Sequence, residues 1–142
     1  LDEKDMKIVI CASISAAKKV VEIAEQLEKN GHEVMVPKDI EKYADGTLNM
    51  ETPYESTQNK IKDDLIKGYF EKIKNSEAVL VVNLDKKGIT NYIGGNTFLE
   101  IGFAYVLNKK IYLLNEIPEI SYKDEIIAMR PMVISGDLEN IK

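Results

Sequence analysis

Glu100 is the one charged residue in an eleven-residue segment, TFLEIGFAYVL (97–107), in which eight residues are apolar. The apolar residues run all the way round at helical spacing, which marks a helix buried on most sides. An unpaired carboxylate is costly to bury, so Glu100 is expected to be paired, to face a cavity or to be protonated. Directly before it runs Gly94-Gly95-Asn96-Thr97. Two glycines at a loop-to-helix junction let a ligand approach the backbone closely, and a helix N-terminus favours an anion. The pattern reads as a carboxylate one turn from a phosphate-friendly junction. Thr97-Phe98-Leu99-Glu100 also fits a capping box, in which Glu100 folds back on the helix start and does no chemistry.

Few other residues have the types or spacing for catalysis. The chain holds one cysteine, Cys11, and one histidine, His32. This pair supplies neither a four-ligand zinc site nor an internal disulfide, so no metal and no cofactor is expected. Cys11 reads as a small buried apolar residue at a strand end, and His32, after Gly31, as a surface residue. Asp63-Asp64, Lys86-Lys87 and Lys109-Lys110 read as solvated faces or loops. No G-x-G-x-x-G follows the first strand, and Asn83 stands where a phosphoacceptor aspartate would end the third.

The chain has 142 residues with 44% apolar and 30% charged residues, enough for one domain that buries roughly 68–70% of its unfolded surface. No stretch approaches the ~20 apolar residues of a membrane span, so no membrane association is expected, and the composition suits the cytoplasm. Twenty-four acids against 19 bases give a net charge of −5, and Arg130 is the sole arginine. This balance disfavours long nucleic acid but leaves a single nucleotide possible.

The elements that must position Glu100 alternate. Residues 1–5 precede Met6 and are expected to be a tag or disordered N-terminus, with one α/β domain over 6–142. Strands are expected at 7–11, 33–36, 78–82, 110–114 and 132–134. Helices are expected from 16 to about 30, closed by Asn30-Gly31, then at 57–75, 97–107 and 122–129. The first should bury Ala17, Val20, Val21, Ala24 and Leu27; the second carries a stripe of Ile61, Leu65, Ile66, Tyr69, Phe70 and Ile73. Residues 38–56 read as a long excursion, either a binding loop or a loop holding a short helix. The alternation predicts a doubly wound, flavodoxin-like parallel sheet of order 2-1-3-4-5 with helices on both faces. Its switch point lies between strands 1 and 3, where residues 12–15 and 83–100 meet.

The segment GGNTFLEIGFAY (94–105), followed by Lys-Lys and a strand, resembles the nucleoside 2-deoxyribosyltransferase family, which includes 2-deoxynucleoside 5'-phosphate N-hydrolases. The resemblance extends to the Ala12-Ser13-Ile14 turn and to the Asn-Ser-Glu-Ala-Val-Leu-Val-Val run (75–82), and its specific part is the E-I-G-F-A block. It implies a doubly wound fold, a homodimer or higher oligomer, and cleavage of an N-glycosidic bond by a carboxylate at Glu100. Such a carboxylate attacks the anomeric carbon and forms a glycosyl ester, which water or a second base resolves without a cofactor. The family's usual acid on the helix before strand 3 falls here at Tyr69, which the resemblance makes a second catalytic candidate; Asn83, Asp85, Asn91 and Asn96 are possible substitutes for that acid. Ser13, Ile14, Ser15, Asn83, Gly94, Gly95, Asn96 and Thr97 are the candidate substrate contacts. A weaker likeness is to phosphoribohydrolases with a G-G-x-G-T-x-x-E turn, from which this chain is one residue short.

The function expected is therefore cleavage or transfer at the N-glycosidic bond of a nucleoside or nucleoside 5'-monophosphate. A non-catalytic nucleotide-binding or sensor module is the second reading, and a structural dimerisation domain the third. The apolar surface of 57–75 and 98–107 exceeds what one five-stranded sheet covers, so self-association is expected.

Overall fold

The computed structural model describes residues 5–49, 54–55, 57–58, 61 and 64–142. The expected N-terminal extension, apart from Asp5, lies outside them. Five short strands form one parallel sheet: β1 (Lys7–Cys11), β2 (Glu33–Met35), β3 (Ala78–Val81), β4 (Lys110–Leu113) and β5 (Met132–Val133). Their order is β2-β1-β3-β4-β5, the flavodoxin-like order expected from the sequence. Ile8 to Cys11 pair with Ala78 to Val81, so the ends of β1 and β3 lie level.

The strands alternate between two cores. Ile8, Ile10, Ala78, Leu80 and Tyr112 face one side, where α1 (Ala17–Lys29) and α2 (Ile40–Ala44) pack. Val9, Cys11, Val79, Val81, Ile111 and Leu113 face the other, where α3 (Leu65–Lys74), α4 (Gly95–Val106) and α5 (Lys123–Ala128) pack. Because both faces are covered, β3 is buried at every residue, which is why AVLV shows no polar alternation.

Helix α1 buries Ala17, Val20, Ile23, Ala24 and Leu27, with Val21 at the edge of that stripe. It ends in a Schellman motif: the Gly31 N–H donates to the Glu28 carbonyl and the His32 N–H to the Leu27 carbonyl, each at 3.0 Å. Gly31 adopts φ +100°, which favours glycine.

Several expectations need correction. His32 is buried, not on the surface, because its Nδ1 accepts the Met6 N–H at 3.0 Å where β1 begins. The helix expected over 57–75 is not continuous: Thr57, Gln58 and Ile61 are helical, and α3 starts anew after Asp64, whose left-handed φ of 46° interrupts the helical path. Ile61 and Ile66 are then exposed, and Tyr69 and Ile73 carry the burial. Positions 50–53, 56, 59–60 and 62–63 of the expected excursion and helix lie outside the described residues. The excursion does contain a short helix, α2.

Candidate active site at the carboxyl edge of the sheet

Beyond the carboxyl ends of β2, β1 and β3 opens a cavity of about 750 Å³. This is the position where doubly wound sheets place ligands, since the chain leaves the sheet toward opposite faces on either side of the switch point. Nine of the ten residues singled out from the sequence line it: Ser13, Ile14, Ser15, Tyr69, Gly94, Gly95, Asn96, Thr97 and Glu100. Asn83 does not. Its side chain is buried and committed to the β3–β4 junction, donating from Nδ2 to the Asn115 and Glu116 carbonyls at 3.0 and 3.1 Å. Its Oδ1 accepts the Asn115 N–H at 3.0 Å. An amide at a strand end looked available in the sequence; the structure spends it on holding two loops together.

Helix α4 starts earlier than expected, with Gly94 as its extended N-cap and no side-chain cap. Thr97 is thus the third helical residue and cannot be the N-cap of a capping box with Glu100. Glu100 is one turn further in, 6% exposed, and borders the cavity. Asn96, four residues earlier on the same face, donates from Nδ2 to Glu100 Oε2 at 3.4 Å. A Cβ added at Gly95 would meet no atom within 4 Å, whereas one at Gly94 would stand 3.3 Å from the Tyr92 ring. The start of α4 is therefore open on its Gly95 side.

Two buried groups, Cys11 and Tyr69, feel the charge of Glu100. Burial, then the charge of Glu100 and a hydrogen bond with it, push the Cys11 thiol well above its ordinary value. Burial, then Cys11 and Glu100, do the same to the Tyr69 phenol. Both groups keep their protons at neutral pH. The Tyr69 hydroxyl donates to the Ile10 carbonyl, which pins α3 to the end of β1. Cys11 is fully buried among apolar residues, as the sequence suggested.

The mouth carries residues that the sequence reading left in solvent. Lys86 Nζ donates to Ser13 Oγ at 2.7 Å, and Ser13 Oγ lies 2.9 Å from Ser15 Oγ and accepts the Ser15 N–H at 3.3 Å. Ser13 thereby caps the single 3-10 turn Ile14–Ala16 that leads into α1. Partial burial, then the neighbouring Lys87, lower the pKa of Lys86. Of the possible substitutes for the family acid, Asp85 lines the cavity but accepts the Asn91 N–H at 2.9 Å; Asn91 itself stands outside the lining. Lys72, one turn beyond Tyr69 on α3, lines the opposite end. Nothing in the sequence distinguished Lys72 or Lys86 from solvated lysines; the clue available was the three-residue step from Tyr69 to Lys72, which puts both on one helix face. Among the described residues no group of three or more His, Cys, Asp or Glu side chains is arranged to hold a metal ion, and no helix is long and apolar enough to cross a membrane.

No protein-family model and no curated protein matches the chain. A solved structure does: the Clostridium botulinum CMP N-glycosidase BcmB superposes with a TM-score of 0.52 at 18% identity, over 89% of this chain and 84% of that one. The likeness is one of fold.

Proposed function

We propose that this protein cleaves the N-glycosidic bond of a nucleoside 5'-monophosphate, with Glu100 as the nucleophile. The observation that carries the proposal is a carboxylate 6% exposed, bordering a cavity of about 750 Å³ whose opposite features are hydroxyls, lysines and an open helix start. A small-molecule nucleotide fits this set, and the fold likeness to an enzyme described as a CMP N-glycosidase supports the reaction class.

In this reading the phosphate sits at Ser13, Ser15 and Lys86, near the first turn of α4, where hydroxyl, ammonium and backbone N–H groups converge. The sugar lies over Glu100. A carboxylate oxygen attacks the anomeric carbon, the C–N electron pair leaves with the base, and water resolves the glycosyl ester to give the sugar phosphate. Asn96 holds one oxygen of Glu100 and the Cys11 thiol contacts the same side chain, so the nucleophile is oriented before the substrate arrives. A second base in place of water would make the same site a transferase. The test is base release from a panel of nucleosides and nucleoside 5'-monophosphates, run with thermal melting on wild type, Glu100→Gln and Glu100→Ala. Loss of base release in Glu100→Gln with an unchanged melting temperature supports the nucleophile. Retained base release refutes it, and tight binding without base release by wild type favours the sensor module.

We further propose a homo-oligomer. Leu99, Tyr105 and Val106 on α4 and Ile66 on α3 are exposed on helices that pack side by side. Sedimentation at micromolar concentration is expected to show a species larger than 16 kDa; the monomer alone would refute this.

A further inference from the structure

The cavity has two cationic ends, and the nucleotide reading above uses one of them. Lys86, from the loop after β3, reaches back to Ser13, just past the end of β1. Lys72 stands on the β2 side: its Nζ is 3.5 Å from the Val36 carbonyl, just past the end of β2, and 5.1 Å from the centre of the Tyr69 ring. Ser13 follows β1 and Val36 follows β2, so the two ammonium groups are held beyond neighbouring strands, at different points of the cavity wall. Glu100 borders the same cavity, beside Cys11 at the end of β1. With the phosphate at Lys86 and the sugar over Glu100, the part of the cavity walled by Tyr69 and Lys72 is left for the base.

The base has to leave with a proton, and the groups around Glu100 are poor sources. The Tyr69 hydroxyl already donates to the Ile10 carbonyl and is held in its neutral form by burial. Asp85 is at the Lys86 end. Lys72 has three N–H donors and directs one toward Val36, which fixes the ammonium at the wall and leaves two donors for a ligand. The Tyr69 ring beneath it holds the cation in place by the attraction of a π-face.

We propose that Lys72 is the proton donor to the departing base, a role that rests on the N-glycosidase reading. As the bond between the anomeric carbon and the base nitrogen breaks, its electron pair goes to the base and a proton passes from the Lys72 ammonium to the base. A Glu100 oxygen forms the new bond to the anomeric carbon. Water then cleaves that ester, its oxygen going to the sugar and its proton to the Lys72 amine. The sum is nucleotide plus water giving free base plus sugar phosphate, with both side chains restored. Lys72 thus selects substrates whose base presents a lone pair beside the glycosidic nitrogen.

The test compares two leaving groups on the same sugar phosphate: a nucleobase, which needs a proton, and 4-nitrophenolate, which does not. Lys72→Gln is expected to lose about 10²–10⁴-fold in kcat/KM on the nucleotide and less than tenfold on the aryl substrate. Lys72→Arg keeps the charge over Tyr69 but does not release its proton, so it is expected to fall with Lys72→Gln on the nucleotide. Glu100→Gln is expected to lose both activities. Equal loss on both substrates in the Lys72 variants, no loss on either, or full rescue by Lys72→Arg would overturn the donor role while leaving Glu100 as nucleophile. Cleavage of neither substrate by wild type would instead overturn the N-glycosidase reading, and the donor role with it. Thermal melting of Lys72→Gln, expected within a few degrees of wild type because the side chain is half-buried at a cavity wall, separates loss of chemistry from loss of fold.

Discussion

The two ends of the sheet hold polar side chains in different ways. At the amino end, His32 accepts the Met6 N–H, Ser76 Oγ donates to the Ile73 carbonyl at 2.7 Å, and Glu77 accepts the Lys7 N–H at 3.2 Å. Each of these side chains closes on a backbone group. At the carboxyl end, Ser13 meets Lys86, and Asn96 meets Glu100, side chain to side chain, around an open volume. No buried side-chain nitrogen or oxygen among the described residues lacks a partner, so satisfaction of hydrogen bonds does not separate the two ends. The difference is the open volume. At the carboxyl end polar side chains border a cavity, some bonded to one another (Ser13 with Lys86, Asn96 with Glu100) and some to backbone (Tyr69, Lys72). Those at the cavity wall stay within reach of a ligand. Substitutions at the amino end should therefore move stability, and those of Glu100, Lys72 and Lys86 at the cavity activity, with Tyr69, which ties α3 to β1 at the cavity wall, moving stability as well.

The largest effect that would break this contrast is at Glu100. Glu100→Gln is expected to lower base release by at least about 10³-fold, since the amide keeps the shape but is a poor nucleophile, with the melting temperature little changed. A large drop in melting temperature would move Glu100 to the structural class. Next, Lys86→Ala is expected to raise KM for a nucleoside 5'-monophosphate by about 10–100-fold, the range of a charged hydrogen bond, and to leave KM for the unphosphorylated nucleoside unchanged. The same residue sets a pH limb. Its charged form binds phosphate and its pKa is lowered, so KM should rise with pH at a lower alkaline value than an ordinary lysine would give, and this limb should vanish in Lys86→Ala.

At the other end, His32→Ala is expected to cost about 1–3 kcal/mol in denaturant unfolding, because the buried Met6 N–H loses its acceptor. Base release per folded molecule should not change. The smallest effect is again one of pH. Tyr69 has a raised pKa when folded, so the unfolded chain gives up that proton first as pH rises. The stability that Tyr69 contributes is fully present below about pH 10 and is lost as pH climbs through the folded value. Tyr69→Phe should flatten this alkaline limb while costing about 1 kcal/mol at neutral pH for the lost bond to Ile10.

The sheet order and the two helical layers were legible because unbroken apolar runs such as AVLV mark strands buried on both faces, and the α1 stripe recurs at 3.6-residue spacing. Glu100 was legible for a related reason: one charge in an all-round apolar helix conflicts with burial unless a cavity receives it. What failed depended on contacts distant in sequence. His32 is buried by a bond to a residue 26 positions away, and Asn83 is spent on loops 32 and 33 positions on. The α3 boundary was lost to a left-handed Asp64, which no apolar period records. Lys72 and Lys86 look solvated until the fold turns them onto one cavity, because lysine carries no pattern that distinguishes a wall from water.

The central claim is that Glu100 forms a bond to the sugar. The most direct measurement is intact-protein and peptide mass spectrometry after rapid acid quench of wild type with a nucleoside 5'-monophosphate that it cleaves. A sugar-phosphate adduct on the peptide containing Glu100, absent from Glu100→Gln, is the expected result. Rapid base release with no adduct at any quench time, and with Glu100→Gln still active, would contradict it.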